Sequence, residues 1–170
     1  MNRTSNLLGA LSMVLADEMR EAVNDTLRTT GETAAALIMV GAHPDVHIAE
    51  VAEALGLTHS GAVRLVDRLE NEELVTRKPG PDSRTVLLRI TREGERRRQA
   101  ALRQRARVLG RALAHLSADE AELLGSCMDK ILRGYLTERQ QGYRFCRMCD
   151  EDTCVPYHCP VEEKWEELFG

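Results

Sequence analysis

Aromatic side chains are scarce in this sequence: one Trp, three Tyr and two Phe among 170 residues. A core without large rings is built from Leu, Val, Ala, Ile and Met, a palette that suits packed helices better than a β-sandwich. Long hydrophobic runs are missing as well. The longest nearly apolar stretch, Thr33 to Ala42, falls far short of the ~20 residues that span a bilayer. Met1-Asn2-Arg3-Thr4-Ser5 leads into a charged helix with neither an apolar signal core nor a cleavage site. Paired carboxylates, a nucleophile–base set and a phosphate-binding loop are also lacking, which leaves little for an enzyme to work with. These absences predict a soluble, cytoplasmic protein, where thiols stay reduced and cysteines serve metals or redox chemistry more than disulfides.

What is present is segregated charge. The formal net charge is −4, yet Ser60 to His115 holds 14 Lys/Arg against 7 Asp/Glu, a net of +7. The remaining 9 basic and 20 acidic residues give −11, and the two regions sum to −4. A basic middle in an acidic chain fits a surface that faces a polyanion, or a merely solvated helical face.

Apolar residues at Leu7, Leu8, Leu11, Val14, Leu15, Met19, Val23 and Leu27 mark one stripe of a helix over 5–27, broken by Gly31. Glu32 to Gly41 is apolar all round and predicts a central buried helix. A loop at 41–45 follows, then a short helix from Ile48 to Leu55 stopped by Gly56. Thr58, His59 and Ser60 offer capping oxygens to a helix over 61–71, with Val63, Val66 and Leu69 facing inward. Short helix, glycine turn, short helix is a helix-turn-helix pattern. Two β-prone runs, 74–78 and 84–90, flank Pro79-Gly80-Pro81-Asp82-Ser83 and predict a hairpin, placed where a wing would be. Thr91 caps a long helix through Leu113, and Ser117-Ala118-Asp119-Glu120 is a capping box for another reaching about Arg139. The last thirty residues read as weakly helical until 161–169. The fold class is therefore mainly α: a winged helix-turn-helix with long dimerisation helices and a small β-hairpin wing. Residues 1–140 form the DNA-binding and dimerisation domain, and 141–170 a cysteine-rich tail.

Ser60, Arg64 and Arg68 share one face of the second short helix, opposite its apolar side. An arginine there can bond bidentately to guanine, with about 1–3 kcal/mol of discrimination. Thr58, His59 and Ser60 lie at the helix N-terminus, where phosphates or base edges are met. Arg77, Lys78 and Arg84 flank the hairpin, and a wing arginine can enter a narrow minor groove. Asp67, between the arginines, reads as an internal partner that orients one of them or the wing.

The stretch from Gly56 to Glu70 resembles the recognition-helix segment of the MarR family. So does the wing, with Asp82-Ser83-Arg84 and Thr91-Arg92-Glu93-Gly94. The resemblance covers roughly 5–140 and is specific over 47–94. It implies a dimer built from the N- and C-terminal helices, a pseudo-palindromic operator in double-stranded DNA, and repression relieved by a signal; no effector carries over, and a small molecule or a redox change is the candidate signal. Carried over by position, Arg64 and Arg68 are base or phosphate contacts and Arg84 the wing-tip arginine.

Four of the five cysteines fall within fourteen residues: Cys146, Cys149, Cys154 and Cys159, spaced C-x2-C-x4-C-x4-C. They lie beyond the part of the chain that the resemblance covers. Four soft thiolates suit tetrahedral zinc, and metal binding would order a tail that has little core of its own. Cys159-Pro160 is similar to the end of ferredoxin motifs, so an iron–sulfur cluster is the alternative, and unmetallated redox thiols a third. His158 is a substitute ligand. Cys127, beside Leu123, Leu124 and Ile131, reads as a core residue. The rival functions are a metal- or thiol-dependent enzyme and a protein-interaction adaptor on a winged-helix scaffold.

Overall fold

A computed structural model describes residues 2–28, 32–80, 85–154 and 158–170. Helix α1 (Arg3–Leu27) starts at Asn2, whose side chain accepts a hydrogen bond from the Ser5 amide at 2.8 Å. Only its C-terminal end is buried, at Val23 and Leu27. Gly31, the expected breaker, lies outside the described residues. Helix α2 (Thr33–Ala42) is buried from Thr33 to Val40, as its unbroken apolar run requires. Two clusters flank it. Ala34 and Ile38 pack with Val23, Leu27, Ala101 and Leu102, where α1 lies along α5 (Arg92–Leu113). Ala36, Leu37, Met39 and Val40 pack into the second cluster, the core of the winged helix.

In that second cluster α3 (Ile48–Leu55) lies against α4 (His59–Asn71). Gly56 follows α3 at φ 64°, a left-handed backbone that side chains with a Cβ disfavour, and so turns the chain into α4. Thr58 caps α4 by accepting from the Gly61 amide at 3.1 Å, so the helix begins two residues before the sequence suggested. The buried face of α4 is Ala62, Leu65, Val66 and Leu69, with Val63 only half-buried. The wing consists of β2 (Val75–Pro79) and β3 (Val86–Ile90), antiparallel with Thr76 opposite Arg89. A two-residue strand not anticipated from sequence, β1 (Val46–His47), pairs with β3 on its other side, giving the order β1-β3-β2. Arg89 fastens this edge by donating from Nε and a terminal nitrogen to the Asp45 carboxylate, at 2.5 and 2.6 Å.

Helix α6 (Ala118–Tyr135) begins in the expected capping box, with Ser117 and Glu120 exchanging hydrogen bonds. It stops short of Arg139 because Leu136 turns to an extended conformation and is buried. None of the residues of α6 is buried, so the reading of Cys127 as a core residue is corrected: it is exposed, beside exposed Leu123, Met128 and Ile131. The tail holds more helix than expected: α7 (Gln141–Cys146), α8 (Glu151–Cys154) and α9 (Pro160–Phe169). Helix α7 packs on α3, and α9 packs on α6 and α7. Arg133 of α6 grips α9 by donating to Glu163 at 3.0 Å and to Glu167. Among the described residues no helix is long and apolar enough to cross a membrane.

Candidate nucleic-acid interface and a thiol-lined cavity

The amphipathic pattern of α4 decides which side chains face outward. Ala62, Leu65, Val66 and Leu69 are drawn into the core, so Ser60, Arg64 and Arg68 stand exposed on the opposite side. Neither arginine has a carboxylate partner among the described residues. Thr58, His59 and Ser60 are exposed at the N-terminal end, where unpaired amides and the helix dipole favour an anion. Thr58 Oγ1 and Ser60 Oγ lie 3.2 Å apart.

Arg77 is placed differently from its sequence neighbours. Its guanidinium turns back from β2 onto α4, donating to Asp67 at 2.6 Å and to Glu70. This is the internal partnership anticipated for Asp67, and it ties the wing to the recognition helix. Lys78, the next residue on β2, is exposed. Arg84 lies outside the described residues.

The four tail cysteines converge on one cavity of about 560 Å³, lined also by His43, Glu50, Tyr143 and Glu151. The Cys146 and Cys149 thiols hydrogen-bond to one another. That bond favours the Cys149 thiolate and brings it to about 7, against the opposing effect of burial and with help from the Arg105 charge on α5. The same bond, with burial, pushes the Cys146 thiol up. Burial and the neighbouring thiols also raise Cys154. All five cysteines are free. Among the described residues no three His, Cys, Asp or Glu side chains are gathered tightly enough to hold a metal as placed. The thiols share a cavity, not a finished ligand sphere.

Three contacts bind the tail to the winged helix, and sequence reasoning named none of their residues for it. His43 Nε2 and Glu151 Oε1 are 3.0 Å apart, and that hydrogen bond raises the imidazole above its ordinary range. The His43 and Tyr143 rings meet edge to face at 5.3 Å. Tyr143 donates to Glu50 Oε1 at 3.4 Å. Residues a hundred positions apart carry no periodic signal of their pairing.

Exposed basic helix, turn and wing in this order define a winged helix-turn-helix. Over residues 29–84 the chain matches the family model described as MarR family. It is 26% identical over 141 residues to the HTH-type transcriptional repressor MdtR of Bacillus subtilis, an alignment covering 81% of this chain and 88% of MdtR. Among solved structures, YusO of B. subtilis is 25% identical, with a TM-score of 0.64 over 75% of this chain and 91% of that one. The F27L mutant of S. aureus MepR, bound to an oligodeoxyribonucleotide, is 21% identical and shares the fold, with a TM-score of 0.58 over 79% and 99% of the two chains. Over 29–84 the sequence is similar to the MarR family, and the fold is the winged helix-turn-helix of these structures.

Proposed function

We propose that this protein is a transcription repressor that binds a pseudo-palindromic operator in double-stranded DNA as a homodimer, in the cytoplasm. The observation that carries the reading is the exposed Arg64/Arg68 face of α4 beside a wing held in place by Arg77. Thr58, His59 and Ser60 meet the backbone or base edges at the helix N-terminus, and Lys78 and Arg84 extend the contact along the wing. The relatives support it by what they are: MdtR is a repressor, and the MepR structure holds an oligonucleotide. MarR proteins are transcription regulators and not enzymes, which sets the enzyme alternative aside. Residues 1–140 carry this function.

The tail, 141–170, adds a metal centre on Cys146, Cys149, Cys154 and Cys159. Four thiolates fill a tetrahedral zinc and leave no open position for substrate, so the role is structural or regulatory. An iron–sulfur cluster is the alternative occupant.

Selection from random duplexes tests the DNA-binding reading. The full chain should enrich a two-fold symmetric sequence, and Arg64→Ala or Arg68→Ala should lose about 1–3 kcal/mol of specific affinity. No enriched site would end the reading.

A further inference from the structure

The cysteine-bearing segment touches both halves of the molecule. Met148, between Cys146 and Cys149, packs on the cluster where α1, α2 and α5 meet. Tyr143, one turn before Cys146, reaches Glu50, and Glu151, two residues after Cys149, reaches His43. Glu50 is also the carboxylate that caps α3, its other oxygen accepting from the His47 amide at 2.8 Å. His47 in turn belongs to β1, which pairs with wing strand β3. One short path therefore runs from the thiols through the start of α3 to the wing.

The tail segment that bears the thiols has little of its own to keep it folded. Helices α7 and α8, of six and four residues, contain no fully buried residue. Helices this short are unstable alone, and a small cysteine-rich segment takes its ordering energy from a metal. The four thiols line one cavity of about 560 Å³ between α7, α8 and the start of α9.

We infer that this cavity is a control point for DNA binding: a zinc ion held by Cys146, Cys149, Cys154 and Cys159 keeps α7 seated on α3, and its loss frees the helix-turn-helix. The inference rests on the metal reading above. Cys146, Cys149, Cys154 and Cys159 would hold the ion as thiolates, each having given up its proton, and a shared ligand would link α7, α8 and the start of α9. Loaded, the tail braces α3 through Tyr143–Glu50 and the end of α2 through His43–Glu151. Stripped, the brace goes, and the population with correctly placed reading helices falls.

The test uses full-length protein purified anaerobically, analysed for zinc, iron and sulfide, with operator affinity measured before and after chelation under reductant. The expected result is about one zinc per chain and an operator Kd at least tenfold weaker after stripping, restored by zinc(II) alone. A Tyr143→Phe, Glu151→Gln double variant should keep its zinc but show less than a twofold difference between the two states. Zinc at full occupancy with the same Kd in both states overturns the control point and leaves the metal site standing. Absence of metal overturns both, and iron with sulfide overturns the zinc assignment. Failure of loaded and stripped protein alike to bind any selected duplex points instead to the DNA-binding reading.

Discussion

Arg64 and Arg77 carry the same charge within one basic surface, and the fold uses them differently. Arg64 is solvent-facing and unpaired among the described residues, whereas Arg77 is held by Asp67 and Glu70. Those partners are 49% and 39% exposed, so solvent screening keeps the tie to about 1 kcal/mol or less. Arg77→Ala should lower unfolding stability by up to about that amount and weaken all duplexes alike, because it loosens the wing. Arg64→Ala should leave urea unfolding within about 0.5 kcal/mol of wild type and lose affinity chiefly for the selected operator. Base-specific loss in the Arg77 variant at unchanged stability would contradict this division. Glu93 offers a separate check. Hydrogen bonds from Arg96 and then Arg97 bring its carboxyl to about 2. A depressed carboxylate contributes stability above its unfolded value of about 4.5, and loses it as pH falls toward 2. Side-chain NMR should find a midpoint near 2, and Arg96→Ala should move it up.

At the level of elements, the joint between wing and α5 depends on a missing side chain. A Cβ on Gly94 would lie 2.0 Å from the Leu74 carbonyl oxygen, a backbone atom that cannot swing aside. Thr91 stitches the same joint, accepting from the Gly94 amide at 2.9 Å and donating to the Glu73 carbonyl at 2.7 Å. Gly94→Ala should therefore destabilise by about 1–3 kcal/mol or more, measured by thermal unfolding. Unchanged stability would mean that α5 can slide away from the wing. Thr91 and Gly94 also show why this region was legible: a cap and a required glycine are local rules written in neighbouring residues. The same holds for Thr58, for Gly56 and for Val66 and Leu69 on the inward face of α4, whereas Val63 was read as facing inward and is only half-buried. Where the rule is not local, reading fails. Strand β1 spans two residues and exists only because β3 offers an open edge. Helices α7 and α8 are too short to show periodicity and are placed by contacts with α3 and the thiol cavity. The link of Tyr143 to Glu50 spans 93 positions and leaves no trace in either neighbourhood.

For the whole molecule, Cys127 marks the distinction that sequence could not draw. An apolar helical stripe says that a face is covered, without saying by what. Here α6 turns Leu123, Met128 and Ile131 outward, and the first half of α1 does the same with Leu7, Leu8, Leu11 and Val14 at 48–53% exposure. Monomers rarely tolerate apolar surface of this extent, and both stripes lie away from the chain's own two cores. A second copy is the partner that the proposed pseudo-palindromic operator would also require, because one recognition helix reads only one half-site. Two half-sites a helical turn apart, roughly 34–36 Å, need two helices held at that spacing. A Leu11→Glu, Ile131→Glu double variant places charge in both stripes without touching either core. Light scattering should find the wild type near twice the chain mass of 19.0 kDa and the variant near one chain mass. Far-UV circular dichroism should be little changed, since neither residue is buried in the chain itself. Operator binding should fall steeply while weak, salt-sensitive binding to any duplex persists, because each wing and recognition helix remains intact. A wild type that scatters as a single chain at micromolar concentration would overturn the dimer, and a variant that stays dimeric would move the interface away from α1 and α6.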